Sequence, residues 1–216
     1  MNAVERLMRA LFFLLYHPFA FAYDAVAAAV SLGHWNEWIT SVLPWIHGPR
    51  VLELGAGPGH LQEALRSRVP AAFGLDESRQ MVALASRRLR SGGFGQPNLV
   101  RAVSGDLPFS PGSFQTVVAT FPSTTIFGPR ALGEAHRVLS TGGRLIVLPL
   151  VWHTGRRILE RLLVRIFRIT GESPGPFELV AQRFREAPVA AGFQVEIIRL
   201  EVRSALLLLL VAEKPA

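Results

Sequence analysis

"VLELGAGPGH", residues 51–60, is the stretch on which the reading of this chain turns. A mostly apolar run leads into glycines at 55, 57 and 59. Lacking Cβ atoms, Gly55, Gly57 and Gly59 allow the backbone to turn tightly and to approach a ligand closely. The spacing is G-x-G-x-G. The dinucleotide fingerprint is G-x-G-x-x-G, and His60 stands where its third glycine would be. The stretch is either a strand end with a tight turn or the floor of a pocket of another kind.

The surrounding chain alternates. "RVLEL" (50–54), "AAFGLD" (71–76), "NLVRAVSGD" (98–106), "SFQTVVATF" (113–121) and "RLIVLPL" (144–150) read as strands. "HLQEALRSR" (60–68), "ESRQMVALASRRLRSGG" (77–93) and "PRALGEAHRVLSTGG" (129–143) read as helices between them. In the second helix Met81, Val82, Ala85 and Leu89 share one face. Pro129 opens the third, and Gly142–Gly143 are expected to close it. Such alternation predicts a parallel sheet covered on both faces. "FQVEIIRLEV" (193–202) and "ALLLLLVAEK" (205–214) are separated only by "RS". Strands joined that tightly are antiparallel, and the leucine run reads as a buried central strand. The expected fold is α/β, Rossmann-like and doubly wound. It has a mostly parallel seven-stranded sheet, a C-terminal antiparallel hairpin and a helical N-terminal cap.

Composition narrows the function classes. Half of the 216 residues are hydrophobic, 18% are charged and the formal net charge is +7. Lys214 is the sole lysine, so the basic character is arginine. Arginine suits phosphate and carboxylate forks, and a positive balance draws anionic surfaces. A GC-rich genome that writes Arg for Lys accounts for the same balance. With no cysteine there is no disulfide, thiolate metal site or cysteine nucleophile. The six histidines form no HxxxH or HExxH pair, and no metal is expected. Basic residues interleaved with aromatics on a sheet face are not found, which speaks against nucleic acid.

Two apolar segments flank the alternating region. Arg6 and Arg9 precede "ALFFLLY", and "AFA" ends at Ala22, a layout similar to a signal peptide. Glu5 in the charged region argues against that reading. The uncharged run from Ala10 to Tyr23 has 14 residues and includes Pro18. It is short for a bilayer span and suits an interfacial or core-packed helix. "TGRRILERLLVRIFRIT" (154–170) places Arg157, Arg161, Arg165 and Arg168 on one helical face. Ile158, Leu159, Leu162, Leu163, Ile166 and Phe167 occupy the opposite arc. Such a helix can lie on an anionic membrane or pack on a sheet.

In open α/β sheets, ligands bind at the carboxyl ends of the strands where the strand order reverses. Asp76 ends the second expected strand, where a carboxylate can accept both hydroxyls of a ribose. Asp106 ends the third, where it can accept from an adenine amino group. Either alone is equally a cap or turn former. They are the chain's only aspartates besides Asp24, and both fall at the same sheet edge.

"VLELGAGPGH", "GLDESRQMVALASRRL", "GDLPFSPGSFQTVVATF" and "EAHRVLSTGGRLIVL" together resemble the class I S-adenosylmethionine-dependent methyltransferases. The similar branch contains ubiquinone and menaquinone methyltransferases and small phospholipid N-methyltransferases. The motifs cover about residues 20 to 150. The resemblance implies S-adenosylmethionine as cofactor. It implies a cradle for its methionine part in Glu53, Gly55, Ala56, Gly57 and Gly59. Asp76 would hold the ribose, with Glu77 beside it among the cofactor contacts. Asp106 and Leu107 would flank the adenine, and Phe121 would line the methyl-transfer channel. Tyr23 and Asp24 match a "YD" pair where a helix closes over the cofactor.

The resemblance divides the chain into a helical cap or lid (1–48) and a cofactor-binding domain (49–216) with an amphipathic insert at 152–178. After strand four the chain reads "FPSTTIF", with no titratable group. His153, after strand five, is the nearest candidate base, and an ordinary loop histidine is the alternative. His60 is expected to pack or hydrogen-bond locally. The expected function is methyl transfer to an apolar or membrane-associated acceptor such as a phospholipid headgroup amine or a quinone precursor. The alternatives are a soluble small-molecule methyltransferase and a non-catalytic cofactor-binding scaffold. A cytoplasmic location is expected, with peripheral contact at the inner membrane face through 1–32 and 154–170.

Overall fold

The computed structural model describes residues 23–154 and 175–215. The segment 1–22 and nearly all of the basic amphipathic stretch lie outside the described residues. Five strands follow one another in parallel: β1 (Arg50–Leu54), β2 (Ala71–Asp76), β3 (Asn98–Arg101), β4 (Phe114–Thr120) and β5 (Leu139–His153). The hairpin β6 (Gln194–Val202) and β7 (Ala205–Glu213) completes the sheet, with β7 antiparallel to both β5 and β6. The order is β3-β2-β1-β4-β5-β7-β6. The chain winds outward from β1 to β3 and then returns to the other side of β1. The reversal therefore falls between β1 and β4, which opens a crevice at their carboxyl ends.

Helices cover both faces. On one lie α2 (Trp35–Thr40) and α3 (His60–Arg66), whose Trp38, Ile39, Leu61 and Leu65 pack with Val51, Val118, Ile146, Leu207 and Leu209. On the other lie α5 (Pro129–Val138) and α6 (Phe177–Ala190), packed with Leu52, Leu54, Val117, Val147, Leu208 and Leu210. Successive residues of β7 thus enter opposite cores. That is why its leucine run shows no apolar-polar alternation. The short helix α1 (Tyr23–Ser31) precedes α2, and α4 (Arg79–Ser91) follows β2. Ser78 caps α4, its side chain accepting from the Met81 amide at 3.3 Å. Met81, Ala85 and Leu89 are buried, as the helical spacing requires.

Two expected boundaries are corrected. The third strand stops at Arg101, not at Asp106. Beyond it the chain turns, and the Asp106 amide donates to the Val103 carbonyl at 3.1 Å. The third helix stops at Val138, before the two glycines. Leu139 already pairs with Phe114, and β5 runs from there to His153 with a register shift opposite Gln115. Gly143 lies in that irregularity, where a Cβ would stand 2.8 Å from the Ser140 carbonyl oxygen. The paired glycines serve a bulge in the strand and not a helix end. A second shift in β5, between Val147 and Leu150, accommodates Pro149, which has no amide to donate to β7.

Candidate functional site

The glycine loop leaves β1 at Leu54 and folds back on β2. The Gly55 and Ala56 amides both donate to the Leu75 carbonyl, at 2.8 and 2.9 Å. Gly55, Gly57 and Gly59 have φ of 72°, 51° and 88°, the left-handed region that glycine adopts without strain. A Cβ on Gly55 or Gly57 would meet nothing within 4 Å, so the loop borders open space at both positions. Gly59 faces the protein instead, against α4. The loop therefore has one side available to a ligand and one side packed.

Two carboxylates lie beneath this loop. Asp76 is 5% exposed at the end of β2. Its Oδ2 accepts from the Gly57 amide at 2.9 Å and its Oδ1 from the Ser78 amide at 2.8 Å. Glu53 is buried in β1 and accepts from Gln62 Nε2 at 2.8 Å. Burial pushes its pKa up to about 8, helped by the negative Asp76 and only partly offset by the Gln62 bond. Glu53 is thus largely protonated at neutral pH, whereas in the unfolded chain it ionises near 4.5. Between these values the folded state holds more protons, so this group makes stability fall as pH rises. Glu53→Gln keeps a neutral acceptor for Gln62. The variant is expected to gain stability relative to the parent between about pH 5 and pH 8, read by urea unfolding across that range.

The far end of the site is organised differently from the sequence expectation. Asp106 lies in a turn five residues beyond β3, exposed, and adds to the negative field on Arg137. Leu107 is 3% exposed and belongs to the core. Its amide donates to Glu134 Oε2 at 2.7 Å and its carbonyl accepts from Arg137 Nη2 at 2.9 Å. The Glu134–Arg137 pair on α5 therefore pins this loop. Just past β3 the Ala102 amide donates to the Asp76 carbonyl at 3.3 Å, and the next residue, Val103, is half exposed. Glu77 is exposed, and its carbonyl accepts from Arg101 Nε at 3.0 Å.

At the end of β4 the chain makes an aromatic wall. Phe121 has φ of +45°, rare for a non-glycine residue, and its amide donates to the Leu148 carbonyl at 2.7 Å. Its ring lies 4.8 Å from Trp35 and 6.3 Å from Trp38. Tyr23 meets Trp35 edge-on at 6.0 Å. Trp38 meets His153 edge-on at 5.4 Å. These five residues come from distant segments: Tyr23, Trp35 and Trp38 from the expected cap, Phe121 from the end of expected strand four, and His153 from beyond expected strand five. His153 is the last residue of β5, opposite Ala205, and not a loop residue. His60 does not bond locally. Its Nε2 lies 2.8 Å from Asp24 Oδ1, across 36 positions of sequence.

Residues 51–143 match the family model described as a methyltransferase domain. Over 130 residues the chain is 33% identical to a demethylmenaquinone methyltransferase of Clavibacter sepedonicus, covering 58% of this chain and 52% of that one. Over 146 residues it is 32% identical to a ubiquinone/menaquinone biosynthesis C-methyltransferase of Sinorhizobium fredii, covering 62% and 56%. The chain thus spans little more than half the length of these relatives. Among solved structures it resembles an S-adenosylmethionine-dependent methyltransferase of Thermotoga maritima, with a TM-score of 0.61 and 18% identity over 94% of this chain and 98% of the other. A geranyl diphosphate C-methyltransferase of Streptomyces coelicolor gives 0.58 and 15% over 83% and 78%. Domain match, strand order and glycine loop agree: residues 51–143 match the methyltransferase-domain family, and the sheet has the fold of the S-adenosylmethionine-dependent methyltransferases.

Proposed function

We propose that the chain methylates an apolar, ring-bearing acceptor of the quinone-precursor kind. The observation that carries this reading is the aromatic wall of Phe121, Trp35 and Tyr23, backed by the buried Trp38, at the carboxyl end of β4, the strand next to β1. Flat apolar rings gain from edge and offset contacts with such a wall. The names of the sequence relatives point the same way. S-adenosylmethionine, when bound, supplies an electrophilic methyl carbon on a sulfonium. The protein's own work is to hold the acceptor in line with that carbon and to exclude water, which lowers the barrier through proximity.

In this reading the open side of Gly55 and Gly57, with Ala56 and Glu53, receives the methionine part of the cofactor. Asp76 takes the ribose hydroxyls, with Glu77 at the same edge. The loop at Val103 to Leu107 borders the adenine, with Asp106 on its outer side. Tyr23 and Phe121 close the methyl channel. A phenolic acceptor must lose its proton to become a strong carbon nucleophile, and His153 is the base we assign to it. His153→Gln should lower kcat by about 100-fold with a phenolic acceptor, in keeping with the loss of a general base. It should leave the KM for S-adenosylmethionine within about twofold. A kcat within threefold of the parent would remove His153 from the chemistry.

The function is tested by transfer of radiolabelled methyl from S-adenosylmethionine to a demethylated quinol, to total membrane lipid and to soluble extract. Label in the quinol fraction is the expected result. Label only in phospholipid would favour a headgroup amine, which needs no base. Cofactor binding without label in any fraction would favour a scaffold. A membrane-borne acceptor would be reached through 1–32 and 154–170. Binding to anionic vesicles at low salt is the expected result for that route, and no co-sedimentation would overturn it. Among the described residues no helix is long and apolar enough to cross a membrane.

A further inference from the structure

Asp24 stands in the first turn of α1 and gathers two groups from distant elements. Its Oδ1 meets His60 Nε2 at 2.8 Å, and its Oδ2 accepts from Arg88 Nη2 at 2.5 Å. A carboxylate only accepts, so His60 Nε2 is the donor. Arg88 is shared. Its Nη1 donates to the Pro58 carbonyl at 2.8 Å, inside the glycine loop. His60 begins α3 directly after Gly59. Arg88 lies one turn beyond Ala85, the residue on which Gly59 packs. Asp24 of α1 thus holds the carboxyl end of the loop, His60 directly and Pro58 through Arg88.

These contacts are poorly explained as fold stabilisation. The Asp24 side chain is 51% exposed and that of Arg88 24%. Ion pairs at such positions add little to global stability. They also border an open hollow of about 530 Å³, lined by Asp24, Pro58, Glu63, Leu84 and Arg88. None of Asp24, His60 and Arg88 is among the buried residues of the core. Their geometry is nevertheless specific. Two arms of one guanidinium fix a carbonyl and a carboxylate at once, which restrains orientation more than it adds energy. Burial works against the Asp24 charge, yet the bonds from His60 and Arg88 hold its carboxyl below the ordinary carboxylate range.

We propose that Asp24, Arg88 and His60 are positioning residues, a latch that clamps the amino-terminal helix onto the glycine loop and so sets the affinity for the cofactor. The proposal rests on the reading of that loop as the cofactor cradle. Tyr23 is the neighbour of Asp24 and touches Trp35, whose ring lies tilted against Phe121. The latch therefore also ties cofactor binding to the position of the aromatic wall.

The test is calorimetric titration of the full chain with S-adenosylmethionine, followed by steady-state kinetics. Asp24→Asn keeps the shape and one acceptor while removing the charge. It should weaken cofactor binding about tenfold and raise the cofactor KM equally. At saturating cofactor, kcat should remain within about twofold. Arg88→Lys cannot span Asp24 and the Pro58 carbonyl together and should give a similar loss. In the pair Asp24→Ala and Arg88→Ala, the double variant should lose clearly less affinity than the sum of the two single losses. Additive losses, or an unchanged affinity in folded variants, would overturn the latch. A parent protein that binds no cofactor would overturn the functional reading instead, so the two failures are distinguishable. Thermal unfolding of each variant within a few degrees of the parent is the expected control. A collapse of the fold in Asp24→Asn would show these contacts to be structural and overturn the proposal.

Discussion

Gly59→Ala is expected to destabilise the protein by about 2–5 kcal/mol and to abolish measurable binding of S-adenosylmethionine. Two costs combine. At φ of +88° a Cβ conflicts with its own backbone, which costs about 1–2 kcal/mol. The same Cβ would stand 2.9 Å from Ala85 Cβ and 3.0 Å from Ala85 Cα. The second atom is backbone, so α4 must move away, and overpacking of this kind costs about 1–3 kcal/mol. Moving α4 also carries Arg88 and its hold on Pro58 with it. Gly55→Ala separates the two effects. Its φ is +72° but its Cβ would meet nothing within 4 Å. It should lose only about 1–2 kcal/mol of stability while its new methyl intrudes on the open side of the loop. Denaturant unfolding and calorimetry on both variants check this. Equal stability losses at the two positions would contradict the packing argument.

Asp76→Ala is expected to weaken S-adenosylmethionine binding by about 100-fold or more. The carboxylate is buried and satisfies the amides of Gly57 and Ser78. Its removal strands two backbone donors, each at a cost of about 1–3 kcal/mol when buried. A loss of about 1.4 kcal/mol in binding is already tenfold. The loop relaxes toward solvent to satisfy Gly57, and the ligand must then order it again. Asp76→Asn provides one oxygen and one amide group, so one of the two donors keeps its acceptor. It should fall between the parent and the alanine variant in both affinity and stability. Titration of the three proteins under one salt condition decides the matter, and equal affinities would refute the role of Asp76.

The parts of the fold legible in the sequence were those with local punctuation. β1 ends in glycines and β2 in "DES", and both strands have the expected bounds. The hairpin was legible because two residues leave no room for a crossover. β3 was overrun because "AVSG" continues its apolar character, while the turn at Val103–Asp106 is made by a backbone bond. Gly142–Gly143 resembled a helix end because the pairing of Leu139 with Phe114 is tertiary and leaves no local trace. The site shows the same division. Asp76 and the glycine loop follow from position along one βαβ unit. The Asp24, His60 and Arg88 cluster does not, since its members sit 36 and 64 residues apart with no periodicity linking them. The aromatic wall draws on α1, α2, β5 and the residue after β4, and only the sheet order brings these together.

The place of β7 bears on how the chain is made. Among the described residues it is the last of the seven strands in sequence, yet it lies inside the sheet between β5 and β6. During synthesis β1 to β5 emerge from the ribosome first. Until residues 205–213 follow them, β5 has no partner on its second side and Leu145, Val147 and Leu148 border an open edge. Nascent chains of this protein thus present an apolar, unpaired strand that only the final hairpin closes, an interval in which aggregation competes with folding. Ribosome-stalled chains ending before Ala205 should accordingly engage chaperones that chains extended past Glu213 release.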